Sequence, residues 1–234
     1  MGCSESIEEH ESNNGNKGIT LYWDPISQGS RAVKYTLQAL KLKVNYVRKS
    51  IIKDTRTEEF KKEINPLGTV PVLEHDGVFI QESASIIRYL CNAFKSKNSL
   101  YPRKDLKARA KVDMWFDWCG NTGRPAFTPA FFEIVVVPTM LGGDPPTDEK
   151  KKELMDKYYE TMEYLDSQLK SSKYLTGSTQ TIADVQVFNE VFESKTILKL
   201  DLSKYSNVTK WLKRIEKDKK LTNLNEELME RLSE

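Results

Sequence analysis

The segment Asn65-Pro66-Leu67-Gly68-Thr69-Val70-Pro71-Val72-Leu73 places a proline at the opening of an apolar run. Inside a strand proline removes a ladder donor, and X-Pro is the one bond at which the cis form costs little, so Val70-Pro71 is expected to be a cis turn leading into a strand. Such a turn leaves the N–H and C=O of Val70 unpaired at a sheet edge, where they can take an extended peptide as an added strand. Downstream, His75-Asp76-Gly77 separates the strand Val70 to Leu73 from a second, Val78 to Ile80. Asp-Gly between short apolar runs is a hairpin signal, which makes these two strands antiparallel. Gln81-Glu82-Ser83-Ala84-Ser85 then opens a helix from Ser83 to Phe94, with Ser83 as its N-cap. The exposed N–H groups of a helix start hold a carboxylate. The edge and the helix start together describe a site for a short, acidic peptide.

Towards the N-terminus the pattern predicts strand over Ile19 to Trp23, helix over about Gln28 to Leu40, strand over Val44 to Val47 and helix over Thr57 to Ile64. This is a βαβ unit followed by the hairpin and a helix, hence a mixed sheet. Between the first strand and helix lies Asp24-Pro25-Ile26-Ser27-Gln28-Gly29-Ser30-Arg31. A hydroxyl at a helix start aims a hydrogen-bond donor and the positive end of the dipole at a bound thiolate. With no Cys in this turn and no His nearby, Ser27 reads as a donor rather than a nucleophile. Alternation along the strand is expected to turn Tyr22, a rival hydroxyl, inward as core.

After Lys95-Ser96-Lys97-Asn98-Ser99 the sequence becomes helical to its end. The expected helices are Asp105 to about Cys119, a continuation through Val137 that Pro125, Pro129 and Pro138 break or kink, Pro146 to Leu169, Ile182 to Ile197, Lys204 to Lys217, and a weaker one after Thr222. Thr181-Ile182-Ala183-Asp184 is a capping box, and Asp184 reads as structural. Trp115, Phe116 and Trp118 read as core. The organisation expected is a flexible N-terminal tail over 1–18, an α/β domain over 19–95, a linker over 96–104 and an all-helical domain over 105–234.

Composition narrows the function. The chain has 234 residues, 36 Lys+Arg against 34 Asp+Glu, and a net charge of +2. That balance offers no counterion-releasing footprint for nucleic acid. The longest aliphatic run, Ile134 to Val137, is far short of the ~20 residues of a spanning helix. Cys3, Cys91 and Cys119 are odd in number and widely spaced, without zinc spacing, which points to a reducing, cytoplasmic compartment. His10 and His75 are too few and too distant for a metal site, so no metal is expected.

These motifs resemble those of the cytosolic glutathione transferases, with most similarity to the theta class. The resemblance covers about residues 19–217 and rests on ordered motifs: Leu21-Tyr22-x-Asp24-x-x-Ser27-Gln28, Asn65-Pro66-Leu67-x-x-Val70-Pro71, Glu82-Ser83-x-x-Ile86 followed by Arg88-Tyr89-Leu90, Leu106-x-x-Arg109-Ala110 leading to Trp118, and Thr181-Ile182-Ala183-Asp184. It implies a thioredoxin-like N-terminal domain with a four-stranded mixed sheet, an all-helical C-terminal domain and a homodimer that conjugates glutathione to small electrophiles, with peroxidase activity on the side. Glutathione is then a co-substrate. By the same resemblance Ser27 donates to the glutathione sulfur, Val70 pairs with the cysteinyl unit beside cis-Pro71, and Glu82 and Ser83 bind the γ-glutamyl end. Arg56 falls where a basic residue often meets the glycine carboxylate. Arg124, six residues after Trp118, matches an arginine at the active-site mouth that steers an anionic or leaving group. The sequence departs from the family at Thr69, where a Lys is frequent, and at Gln28-Gly29-Ser30, where a Pro-Cys pair is common. Thr69 weakens the cationic contribution to glutathione binding, and Ser30 supplies a second hydroxyl. The alternative is a non-catalytic module that keeps the fold for dimerisation, ligand binding or scaffolding.

Met1-Gly2-Cys3-Ser4-Glu5-Ser6 fits the N-myristoylation pattern at Gly2, with Cys3 open to palmitoylation. One acyl chain attaches only marginally and the flanking Glu5, Glu8, Glu9 and Glu11 exclude a polybasic signal, so a tether to the cytosolic face of a membrane requires Cys3 as well.

Overall fold

The computed structural model describes residues 18–94 and 100–233. The expected tail, with Gly2 and Cys3, and the start of the expected linker lie outside the described residues.

The first part is built from β1 (Ile19–Trp23), α1 (Gln28–Ala39), β2 (Asn45–Arg48), α2 (Glu58–Glu63), β3 (Val72–His75), β4 (Val78–Ile80) and α3 (Ser83–Ala93), with a short 3₁₀ turn Asp54–Arg56 before α2. The strands form a four-stranded sheet in the order β2-β1-β3-β4. β1 runs parallel to β2 and antiparallel to β3, and β3 is antiparallel to β4. The hairpin turn has φ of 51° at Asp76 and 81° at Gly77, the two positive values a tight I′-type reversal requires. β1 buries Ile19, Leu21 and Trp23, while Tyr22 lies half-buried on the opposite face, stacked on Phe79 with ring centroids 6.3 Å apart. The expectation of an inward Tyr22 is therefore reversed: strand alternation holds, but the odd-numbered residues take the core face.

The helical part comprises α4 (Leu106–Trp118), α5 (Arg124–Phe131), α6 (Val137–Met140), α7 (Asp148–Gln168), α8 (Ile182–Leu198), α9 (Ser206–Ile215) and α10 (Lys219–Ser233). The prolines do not break the chain after α4, which stays helical through α6 with Pro129 inside α5. π-helical turns at Cys119–Gly123 and Phe132–Val136 precede α5 and α6, each of which carries a proline in its first two positions. Widening the turn gives a pyrrolidine ring room against the carbonyl four residues back. α10 is a full helix, longer than expected, because it docks on α1. Leu221, Leu224 and Leu228 are buried there, Lys34 Nζ meets Glu227 at 2.8 Å, and Tyr35 donates to Asp218 at 2.7 Å.

One apolar cluster runs through both parts, joining Leu21, Leu73 and Ile87 to Phe127, Phe188 and Trp211. Its polar pin is Asp184, which accepts from Leu175 N–H (2.8 Å), Thr181 N–H (2.8 Å) and Trp211 Nε1–H (2.9 Å) while fully buried.

Candidate functional site

The antiparallel register of β1 and β3 decides where the site forms. Tyr22 lies opposite Val72, so the chain leaving β1 passes the chain entering β3. Buried Asp24 folds the departing loop, its Oδ1 accepting from Ile26 N–H at 3.1 Å and its Oδ2 from Ile51 N–H at 3.0 Å. Ser27 then caps α1, its Oγ accepting from Ser30 N–H at 3.2 Å. The same hydroxyl donates to the Val70 carbonyl at 3.1 Å. The Val70 carbonyl is thus not unpaired as expected: β3 begins only at Val72, and the capping hydroxyl is the donor that reaches it. Ser30 is fully buried, its Oγ accepting from Asp24 N–H at 3.5 Å.

Val70-Pro71 is cis. The loop before it is held by Asn65, whose Nδ2 donates to Thr69 O at 2.9 Å and Thr69 Oγ1 at 3.0 Å and whose Oδ1 accepts from Leu67 N–H at 3.0 Å. Gly68 has φ +63°, and a Cβ there would meet Thr55 O at 2.8 Å, so only glycine fits. Thr69 is exposed and spends its hydroxyl inside this loop.

At the start of α3 the cap lies one residue earlier than expected. Glu82 occupies it with φ 65° and makes no capping side-chain bond, and helical geometry begins at Ser83. The left-handed backbone turns the chain so sharply that the Glu82 carboxylate stays exposed while Ser83 is buried. A bulky residue held at positive φ is uncommon and tends to mark a functional turn. Ser83 Oγ accepts from Gln186 Nε2 at 3.1 Å, which joins this helix start to α8.

Gln186, Glu190 and Glu193 follow at four- and three-residue spacing and share one face of α8. Glu190 accepts from Arg124 Nε at 2.8 Å and Arg124 Nη2 at 2.6 Å, and from Thr128 Oγ1 at 3.4 Å. The charge of Glu190, and after it other neighbours that include Glu82, keep the Arg124 guanidinium firmly protonated, its pKa above the usual arginine value. Arg124 therefore lies within electrostatic reach of Glu82 and the start of α3, and it does not line the cavity described below. Glu193 pairs with Arg31, Oε2 to Nη2 at 2.7 Å, with both side chains buried. Burial is the main cause that pushes the Glu193 carboxyl up to about 7, against the opposing charge of Arg31. Arg31 also donates to Pro25 O at 2.5 Å and to the side chain and carbonyl of Asn189 at 3.0 and 3.2 Å. This fully buried cation bolts the Ser27 loop to α8.

A cavity of about 260 Å³ opens at Ile26, the residue before Ser27, walled by Ile26, Ile51, Phe131, Val136, Leu141 and further apolar side chains. Exposed Arg56 stands in its wall, as do Thr128 and Glu193. Leu232 of α10 closes one side. The buried thiols are poor nucleophiles: burial pushes Cys91 up to about 11 and Cys119 higher still. Among the described residues no group of three or more His, Cys, Asp or Glu could hold a metal, and no helix is long and apolar enough to cross a membrane.

The family model of the glutathione S-transferase N-terminal domain matches residues 21–98, and that of the C-terminal domain matches residues 125–219. Glutathione S-transferase D7 of Drosophila melanogaster is 31% identical over 201 residues, covering 83% of this chain and 83% of that one. The chain belongs to the glutathione S-transferase family. Glutathione S-transferase theta-1 of Homo sapiens is 29% identical over 175 residues, 74% of this chain and 72% of that one. The solved structure of human glutathione S-transferase T1-1 has a TM-score of 0.83 at 26% identity, covering 91% of this chain and 88% of that one. Probable glutathione S-transferase GSTF2 of Oryza sativa subsp. japonica is 35% identical over 121 residues, and the match spans 55% of that protein. Similarity is thus shared among insect, theta and plant members of the glutathione S-transferases.

The structure brings Ser27, Val70 and Pro71 together at one edge, Glu82 and Ser83 at the start of α3, and Arg56 into the cavity wall. Sequence reading missed Arg31, Gln186, Asn189, Glu190 and Glu193. For the four on α8 the signal was present as polar residues inside a helix that is buried from Ile182 to Val191 and again at Glu193. A helix buried all round has polar residues only where they have partners.

Proposed function

We propose that the protein is a glutathione transferase that adds the glutathione thiolate to small electrophiles. Residues 19–95 bind glutathione and 105–234 shape the second pocket. The observation that carries this reading is the Ser27 hydroxyl, 3.1 Å from the Val70 carbonyl and one residue after Ile26, which lines an apolar cavity. When the cysteinyl unit of glutathione adds to the edge as a strand, its N–H takes over the Val70 carbonyl. Ser27 is then released to donate to the sulfur, and the Ser30 N–H it accepts keeps its oxygen in place. Glu82 and the start of α3 receive the γ-glutamyl amine and carboxylate, with Arg124 adding positive charge beside them. Arg56 faces the glycine carboxylate.

Thiolate formation supplies only part of the rate. Lowering a thiol pKa from ~8.5 to ~6.5 raises the thiolate fraction at neutral pH roughly 25-fold. The fall in nucleophilicity, with a Brønsted slope of about 0.4–0.5, reduces the net gain to a few-fold. The rest comes from holding the electrophile against the sulfur. The protein works as a cytoplasmic homodimer, and acylation at Gly2 and Cys3 is the route by which it would reach a membrane. Mass spectrometry of the N-terminus from a eukaryotic source decides that last point, and a free or acetylated terminus refutes it. The catalytic reading is tested by retention on immobilised glutathione together with turnover of halides, epoxides and hydroperoxides. Retention without turnover of any of them would make the protein a binder instead.

A further inference from the structure

The cavity at Ile26 is hydrocarbon along most of its wall, and its polar side chains are Arg56, Thr128 and Glu193. Arg56 is exposed, and the Thr128 hydroxyl is engaged, accepting from Gln28 Nε2 at 3.3 Å and donating to Glu190 Oε2 at 3.4 Å. Glu193 differs from both. It is 1% exposed, and among the described residues its Oε1 has no hydrogen-bond partner, while Oε2 is held by Arg31. Its ion pair with Arg31, at 2.7 Å, supplies charge but leaves acceptor capacity unused. A buried acceptor without a donor carries its full desolvation penalty, and a ligand that brings a donor recovers it.

We propose that Glu193 is a specificity-determining residue of this cavity, selecting apolar electrophiles that carry a neutral hydrogen-bond donor, a hydroxyl or an amide N–H, at the end away from the reacting carbon. The inference rests on the reading that this cavity takes the second substrate. Neutrality follows from the surrounding charges. Arg56 stands in the same wall, so an ammonium would meet a guanidinium there. An anion would meet the Glu193 carboxylate in that wall. A hydroxyl or amide needs only the free acceptor, while the apolar wall holds the rest of the molecule. A site built to bond a hydroxyl discriminates against the analogue lacking it much more strongly than a hydrophobic pocket discriminates by size.

The test uses S-alkylglutathiones and their ω-hydroxyalkyl counterparts of matched chain length, with binding measured by calorimetry on the full chain. The wild-type protein is expected to bind the best hydroxyalkyl conjugate roughly ten- to a hundred-fold more tightly than its alkyl partner. Glu193→Gln, which keeps an acceptor oxygen, retains a reduced preference, and Glu193→Leu abolishes it. Because Leu strands the Arg31 cation, Arg31→Met with Glu193→Leu serves as the second variant, replacing the whole pair by apolar side chains. Equal affinities in the wild type, or a preference that survives in Glu193→Leu or the double variant, would overturn the proposal while leaving the glutathione reading intact. Failure of both conjugates to bind the wild type would remove the glutathione reading and the proposal with it.

Discussion

Replacing Glu193 by Gln removes a titration from the centre of the molecule, and its effect on stability depends on pH in a direction the structure fixes. Burial raises the Glu193 carboxyl from 4.5 to about 7 in the fold, against Arg31 and Arg124 that oppose the rise and Glu190 that adds to it. In the unfolded chain it titrates at its ordinary value. Between those limits the folded state holds a proton that the unfolded state has lost, so stability falls as pH increases. The stabilisation is complete below the unfolded pKa and gone above the folded one. The shift corresponds to about 3 kcal/mol, from ~1.4 kcal/mol per pKa unit. In a chain of this size that is roughly 6–12 °C in Tm. Urea unfolding of wild type and Glu193→Gln, at fixed protein concentration across this window, is the assay. The wild type is expected to lose stability relative to the variant as pH rises from about 4.5 to about 7. Parallel curves, or a wild type that gains on the variant over that range, would refute the reasoning.

Other substitutions test the frame around the site. Asp184→Ala leaves the buried N–H groups of Leu175, Thr181 and Trp211 without their acceptor and is expected to cost about 3 kcal/mol or more, read as a drop in urea midpoint; a change within ~0.5 kcal/mol would contradict the pin role. Gly68→Ala forces a Cβ to 2.8 Å from Thr55 O at positive φ, so glutathione binding measured by calorimetry should weaken as the Val70 edge shifts. Unaltered affinity would show that the loop does not set the edge. Thr69→Lys puts a cation on an exposed position beside that edge and is expected to tighten glutathione binding about two- to five-fold, the worth of an exposed ion pair of ~0.5–1 kcal/mol. The gain should disappear in high salt.

Much of the fold could be read in the sequence because its signals are local. Asp76-Gly77 specified the hairpin, Thr181 to Asp184 the start of α8, and Val70-Pro71 the entrance to β3. Less could be read where tertiary contact decides. The extent of α10 depends on Lys34 and Tyr35 of α1, which lie far away in sequence and against which its own leucines are buried. The direction of Tyr22 depends on which face of β1 meets α1 and α3, and alternation alone gives the period without the phase. In the site, the residues on loops and caps were visible because Ser27, Val70, Glu82 and Ser83 sit in motifs of fixed spacing. The α8 face was not, since Gln186, Glu190 and Glu193 have meaning only opposite Ser83, Arg124 and Arg31, each more than sixty positions away.

The central claim is that Ser27 lowers the pKa of glutathione bound beside Val70. Ultraviolet titration of the thiolate in the binary complex measures it directly, in wild type and in Ser27→Ala. A hydrogen bond to a charged group is worth ~1.5–3 kcal/mol, so the bound thiol is expected to titrate about 1–2 pKa units higher in the variant, near free thiol, with glutathione still bound. The same depressed pKa in both proteins would contradict the account.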